Sequence, residues 1–135
     1  MTTIESSEVL VNKSAQDVYN FLSDFRNFEK LMPEQVVNWK ATEDECSFTI
    51  KGMASLGMKI KNKNPNSLIE IESSGKTPFG FTMKCMIAEK QNQSAVKLTL
   101  EADMNPMLKM LAEKPLTNFL NLLVSKLAEI SQSAL

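Results

Sequence analysis

The sequence predicts an α+β fold: an antiparallel sheet of about seven strands, two short helices after the first strand and a long helix near the C-terminus. Two periodicities and the spacing of turns carry that expectation. From Val36 to Met104 apolar residues alternate with polar ones, the period of strands with one buried face. On either side of that stretch apolar residues recur at helical spacing. The alternating runs are close in sequence and separated by short turn signals, so an antiparallel meander is the economical topology.

Residues 3–11 read as the first strand. Ser14 followed by Asp17 resembles a capping box with Asp in place of Glu, and opens a helix carrying Val18, Phe21, Leu22 and Phe25 on one face. Phe28, Leu31 and Met32 continue that spacing until Pro33 stops it. The strand runs follow as Val37/Trp39/Ala41, Cys46/Phe48/Ile50, Leu56/Met58/Ile60, Ile69/Ile71, Phe81/Met83/Cys85/Ile87 and Val96/Leu98/Leu100/Ala102/Met104. Turn signals separate them at Glu43 to Glu45, near Gly52, from Asn62 to Asn66, from Ser74 through Lys76 to Pro78, and from Gln91 to Ser94. Leu116, Phe119, Leu120, Leu123, Leu127 and Ile130 then form one wide apolar stripe. Pro115 suits the first turn of that helix, which is expected from about Pro115 to Ser131, with Met107 to Ala112 as a separate turn or kinked lead-in.

The 135 residues read as one domain, 1–135, without repeat, low-complexity tract or linker. With 43% apolar residues one sizeable core is expected. Fifteen Lys and Arg against sixteen Asp and Glu leave a net charge of −1, which argues against nucleic acid as a partner. Histidine is absent, which removes Ser-His and Cys-His catalysis and His-based zinc sites. The opening MTTIESSEVL does not read as a signal peptide, no apolar run is long enough to span a membrane, and Cys46 and Cys85 make a poor disulfide framework. A cytoplasmic location is expected.

Three local patterns, together with the element order, carry a resemblance. Val9 to Tyr19 (VLVNKSAQDVY) looks like a strand-to-helix transition, Leu31-Met32-Pro33 like a short proline turn, and Leu98 to Asp103 (LTLEAD) like the strand before a closing helix. On these the chain resembles the SRPBCC superfamily, the helix-grip group that includes START domains, the birch-pollen allergen and polyketide-cyclase-like proteins. The run from Ile50-Lys51-Gly52 to Leu56-Gly57-Met58 looks most like relatives of the G subunit of carbon monoxide dehydrogenase, with coenzyme-Q-binding proteins as second neighbours. The sequence departs from the former at Met32-Pro33-Glu34-Gln35, where a glycine usually follows the proline, and an extended C-terminal tail for membrane attachment is not expected. A role in carbon monoxide oxidation is therefore not implied.

The resemblance implies a strongly curved sheet wrapped around the long helix, with a cavity between them. Strand parity then supplies its lining. Trp39, Phe48, Ile50, Met58 and Ile60 are expected to face inward from the first half of the sheet, and Phe81, Met83, Cys85, Leu100 and Met104 from the second. Met107, Leu111, Leu116, Phe119, Leu120 and Leu123 are expected to close it. Nine methionines, whose unbranched thioethers adapt to irregular shapes, suit a forgiving apolar site, although packing against one another is an equal use for them.

Polar candidates are few. Glu5 and Ser7 share parity with Val9 and Val11, so a carboxylate at the cavity edge is conceivable beside the plainer reading of an exposed strand end. Tyr19 reads as a surface-to-core residue, Cys46 and Cys85 as small buried hydrophobes without an activating base, and Arg26 as the partner of Asp24 or Glu29. Lys51, Lys59, Lys61 and Lys63 should project from the outer face, paired across strands with Glu70 and Glu72; contact with anionic lipid is the sharper alternative. No catalytic residue, metal site or cofactor is expected. The function expected is binding or carriage of a hydrophobic small molecule: a lipid, quinone or polyketide-like compound. A cyclase or dehydratase using the same cavity and a co-chaperone-like interaction module are the alternatives.

Overall fold

The structure is a computed structural model that describes residues 1–75 and 77–132. Its elements run β1 (Thr2–Glu5), β2 (Val9–Val11), α1 (Ala15–Leu22), α2 (Phe25–Phe28) and a single tight helical turn at Glu29–Leu31. Then follow β3 (Val36–Ala41), β4 (Glu45–Ile50), β5 (Ala54–Asn64), β6 (Leu68–Ser73), β7 (Phe81–Lys90), β8 (Gln93–Ala102) and α3 (Pro106–Ile130). Eight strands form one antiparallel sheet in the order β1-β8-β7-β6-β5-β4-β3, with β2 also on β8. The expected α+β architecture is the one observed, with α3 lying across the inner face of the curved sheet and packing on β1, β2, β8 and the helical turn after α2. Lys76, within one expected turn, lies outside the described residues.

The eighth strand arises because the expected first strand is interrupted. At Ser6 the side-chain oxygen, in place of a backbone carbonyl, accepts the Leu98 N–H at 2.9 Å, and the Ser7 N–H turns away to the Asn121 side chain on α3 at 2.7 Å. The chain then re-pairs through Val9↔Val96 and Val11↔Ser94. This break shifts the parity: Ile4 faces inward on β1, Glu5 outward, and Val11 inward on β2.

Helix caps follow the chemistry of the sequence. Ser14 accepts from the Asp17 N–H and Asp24 from the Arg26 N–H, each satisfying a donor that the first helical turn leaves free. For α3, Asn105 caps the helix by accepting from Leu108 at 2.8 Å and Pro106 takes the first helical position. The start expected at Pro115 is thus nine residues late, and Met107 to Ala112 belong to one continuous helix. Pro115 sits inside it with no N–H to donate to the Leu111 carbonyl, a local weakness that the flanking turns tolerate.

Turns close the meander where residues accept a left-handed backbone. Gln91 and Asn92 both have positive φ, the geometry of a two-residue hairpin matched to strand twist. Gly57 has a different duty in β5. Its outward position lies directly under the chain leaving β6, where the Ser74 N–H bonds to the Gly57 carbonyl at 2.8 Å, and a Cβ there would collide with the Ser74 backbone oxygen. We expect Gly57→Ala to destabilise the fold by about 1–3 kcal/mol, read as a lower denaturant midpoint with unchanged slope in equilibrium unfolding.

Candidate functional site

The interior begins at the bulge in β3. Register shifts between Val37↔Thr49 and Lys40↔Ser47, and Asn38 takes a left-handed backbone with φ of 59° to accommodate the extra residue. The alternation Val37/Trp39/Ala41 is therefore broken at Val37, which pairs with outward Thr49, while Val36 opposite Ile50 takes the inner face. Trp39 keeps its inward aim. Its ring meets Phe48 of β4 at 5.3 Å between centroids, and Phe48 stacks on Phe119 of α3 at 6.1 Å with planes 25° apart. Three aromatic rings thus bridge the edge of the sheet to the helix. The Trp39 Nε1–H is buried and has no hydrogen-bond partner among the described residues.

Around this stack the inner face carries Ile50, Leu56, Met58, Phe81, Met83 and Leu100, all buried. Cys85 is buried deeper in the sheet beside Ile69 and Leu98, and Leu116, Leu120 and Leu123 are buried on α3. Ile60, Met104 and Phe119 are half-buried against the same core. The expected lining residues Met107 and Leu111 are different: they are 74% and 70% exposed, so they lie on the solvent side of α3 and do not close the interior. They come from the part of the helix read as a lead-in, where a continuous helix rotates them outward.

The interior is not equally tight throughout. Where Leu123, Val124 and Leu127 of α3 meet Leu22, Phe28, Leu31, Val96 and Leu98, the remaining space is about 10 Å³, room for no more than a water. Toward the opposite end Val36, Trp39, Met53, Met104, Leu108 and Phe119 pack on the core but are only half-buried. The looser end is that of the β4–β5 turn, the start of β7 and the N-terminal half of α3. The C-terminal half of α3 is fastened by two hydrogen bonds, Ser7 N–H to Asn121 and Asn12 N–H to the Ser131 hydroxyl at 3.0 Å. In the half before Pro115 only Ala112 is buried.

A second concavity, not anticipated from sequence, lies on the outer face. Lys40, Ser47, Thr49 and Ser55 project outward from β3, β4 and β5, and the chain at Ser74 and Gly75 folds over Gly57 to wall an open groove of about 580 Å³. The Thr49 and Ser55 hydroxyls are already bonded to each other at 2.8 Å. A lone glycine among outward polar residues of a strand is the signal that marks such a close approach.

The remaining polar candidates resolve individually. Glu5, expected as a possible cavity carboxylate, points outward and pairs with Lys97; the interruption at Ser6 removes the parity on which that expectation rested. Arg26 forms a two-pronged pair with Asp24 at 2.7 and 3.0 Å on the surface, and the guanidinium holds the Asp24 carboxyl below its ordinary range. Lys59 meets Glu72 across strands at 3.5 Å. Tyr19 is half-buried against the core. Among the described residues no three metal-ligating side chains come together, and no helix is long and apolar enough to cross a membrane.

Comparison with known proteins bears on the fold. No family model and no curated protein sequence matches the chain. Among solved structures, the solution structure of the KanY protein superposes with a TM-score of 0.80 at 11% identity, covering 98% of each chain. The XoxI protein of Bacillus cereus gives 0.79 at 11% identity over 98% of this chain and 97% of its own. Norcoclaurine synthase of Thalictrum flavum gives 0.77 at 12% identity over 98% and 87%. The helix-grip fold implied by the sequence resemblance is therefore the fold of this chain.

Burial pushes both thiols, Cys46 and Cys85, up to about 12. Since the thiolate is the reactive form, neither is expected to react with a disulfide reagent at about pH 8 in the folded protein, and both should react at once in denaturant. Absorbance of the released thiolate measures this directly.

Proposed function

We propose that the chain binds a hydrophobic small molecule, such as a lipid, quinone or polyketide-like compound, against the inner face of β3–β5 beneath the N-terminal half of α3. The observation that carries this reading is the Trp39–Phe48–Phe119 stack, which bridges sheet and helix where Trp39 and Phe119 are only half-buried. Flat aromatic surfaces and adaptable side chains such as Met58 and Met83 favour apolar ligands of varied shape. Room is gained by movement of the first half of α3, which lacks one backbone hydrogen bond at Pro115 and has one buried side chain, while its second half stays fastened. The fold is compatible with such a use: norcoclaurine synthase, one of its structural neighbours, has been captured with a transition-state analogue.

Met107, Met110 and Leu111 stand exposed on that same half of the helix, near Lys114 and near Lys109, which pairs with Glu113 at 3.9 Å. Apolar tips beside a lysine suit transient contact with a lipid surface, from which an apolar ligand is taken up. Carriage in the cytoplasm is the accompanying proposal. The carboxylate considered for the enzymatic alternative, Glu5, faces outward and pairs with Lys97.

Trp39 is the sole tryptophan, so its emission reports directly on the site. N-phenylnaphthylamine is expected to quench it saturably with micromolar or tighter affinity. Phe119→Ala, which removes a half-buried ring from the stack, should weaken that binding about tenfold while the protein remains folded by circular dichroism. Absence of saturable quenching in the native chain overturns the reading.

A further inference from the structure

We infer that the ligand presents a hydrogen-bond-accepting oxygen to Nε1 of Trp39. This deepens the proposed function and rests on it. Among the described residues, the Trp39 indole nitrogen is the one buried side-chain N or O atom without a hydrogen-bond partner. Buried polar groups in folded proteins are nearly always paired, and one left unpaired costs about 1–3 kcal/mol. Packing offers no reason for that cost, because the contact with Phe48 at 5.3 Å needs only a flat ring.

The backbone nevertheless goes to some length to bring this indole inside. The bulge between Val37 and Lys40 gives β3 an extra residue opposite β4, with Asn38 held at positive φ, and the result is that Trp39 joins Phe48 on the inner face. Asn tolerates that conformation better than most residues, though still at a cost relative to an ordinary strand. Around the ring lie Phe48 and, beyond it, Phe119, so the stack itself supplies no acceptor.

An indole N–H donates and cannot accept. It therefore selects among apolar molecules by one feature. A ketone, quinone, ester or ether oxygen completes the bond, whereas a hydrocarbon of the same shape leaves the donor bare. In surroundings of low polarity such a bond counts for more than it would in water. Stack and donor together describe an oxygenated, otherwise apolar ligand whose oxygen lies at the Trp39 edge while its hydrocarbon part rests against Phe48 and Phe119.

The test compares acetylnaphthalene with isopropylnaphthalene, which match in shape and differ in the acceptor oxygen. In the isotope-labelled full chain the single tryptophan gives one indole N–H resonance. The ketone is expected to bind about fivefold to tenfold tighter than the hydrocarbon and to move the indole proton downfield, and the hydrocarbon to bind without that shift. Trp39→Phe should weaken the ketone more than the hydrocarbon, so that the two compounds bind alike. The spectral readout uses the native chain, so it does not depend on how the variant folds. Equal affinities with an unmoved indole signal on ketone binding would overturn the inference and leave the proposed function standing. Failure of both compounds to bind overturns both.

Discussion

Burial of the α3 stripe Leu116, Leu120, Leu123, Val124 and Leu127 against the inner face of the sheet is the contact on which everything else depends. A sheet with one apolar face is unstable until that face is covered, and a single helix can cover it only if the sheet curves round it. The helices after β2 seal one end, with Leu22, Phe28 and Leu31 meeting Leu123 and Leu127 so closely that about 10 Å³ remains. The other end has no comparable plug. Closure there depends on the first half of α3, whose only buried side chain is Ala112. One tight end and one loosely covered end follow from placing the short helices on one side of the helix–sheet contact.

Polar groups fix how the helix sits on the sheet. Apolar packing is non-directional and would tolerate sliding along the groove. Hydrogen bonds from the β1–β2 segment to Asn121, and from Asn12 to Ser131, pin α3 at two points in its second half. The same interruption that frees the Ser7 N–H for Asn121 sends Glu5 out to Lys97, so one local break both anchors the helix and keeps a carboxylate out of the interior. Beyond Asn121 towards the N-terminus no comparable anchor is made among the described residues, and Pro115 removes one further bond within the helix itself.

The outer surface obeys a separate constraint. Gly57 lets the chain after β6 cross close over β5, and this crossing raises one wall of the outer groove on β3–β5. The groove and the aromatic stack occupy opposite faces of the same three strands. Outward Ser47 and inward Phe48 are sequence neighbours whose side chains serve different surfaces, as strand alternation requires.

Much of this was legible from residue order. Period-two alternation determined the inner face, because burial selects apolar side chains at every second strand position, and Phe48, Met58, Met83 and Leu100 lie where parity put them. Helical spacing determined the stripe of α3 for the same reason. What the sequence left open depends on contacts between distant segments. The break at Ser6 arises from its bond to Leu98 and the β3 bulge from register against β4, whereas the start of α3 was marked locally by Asn105 before Pro106, a cap that Lys114 before Pro115 does not offer. Each breaks a periodicity by one residue or moves a boundary, and a one-residue shift in a strand exchanges its two faces. Only the tertiary structure therefore decided that Glu5 faces water, that Met107 and Leu111 are exposed, and that the inward Trp39 leaves its indole donor unpaired.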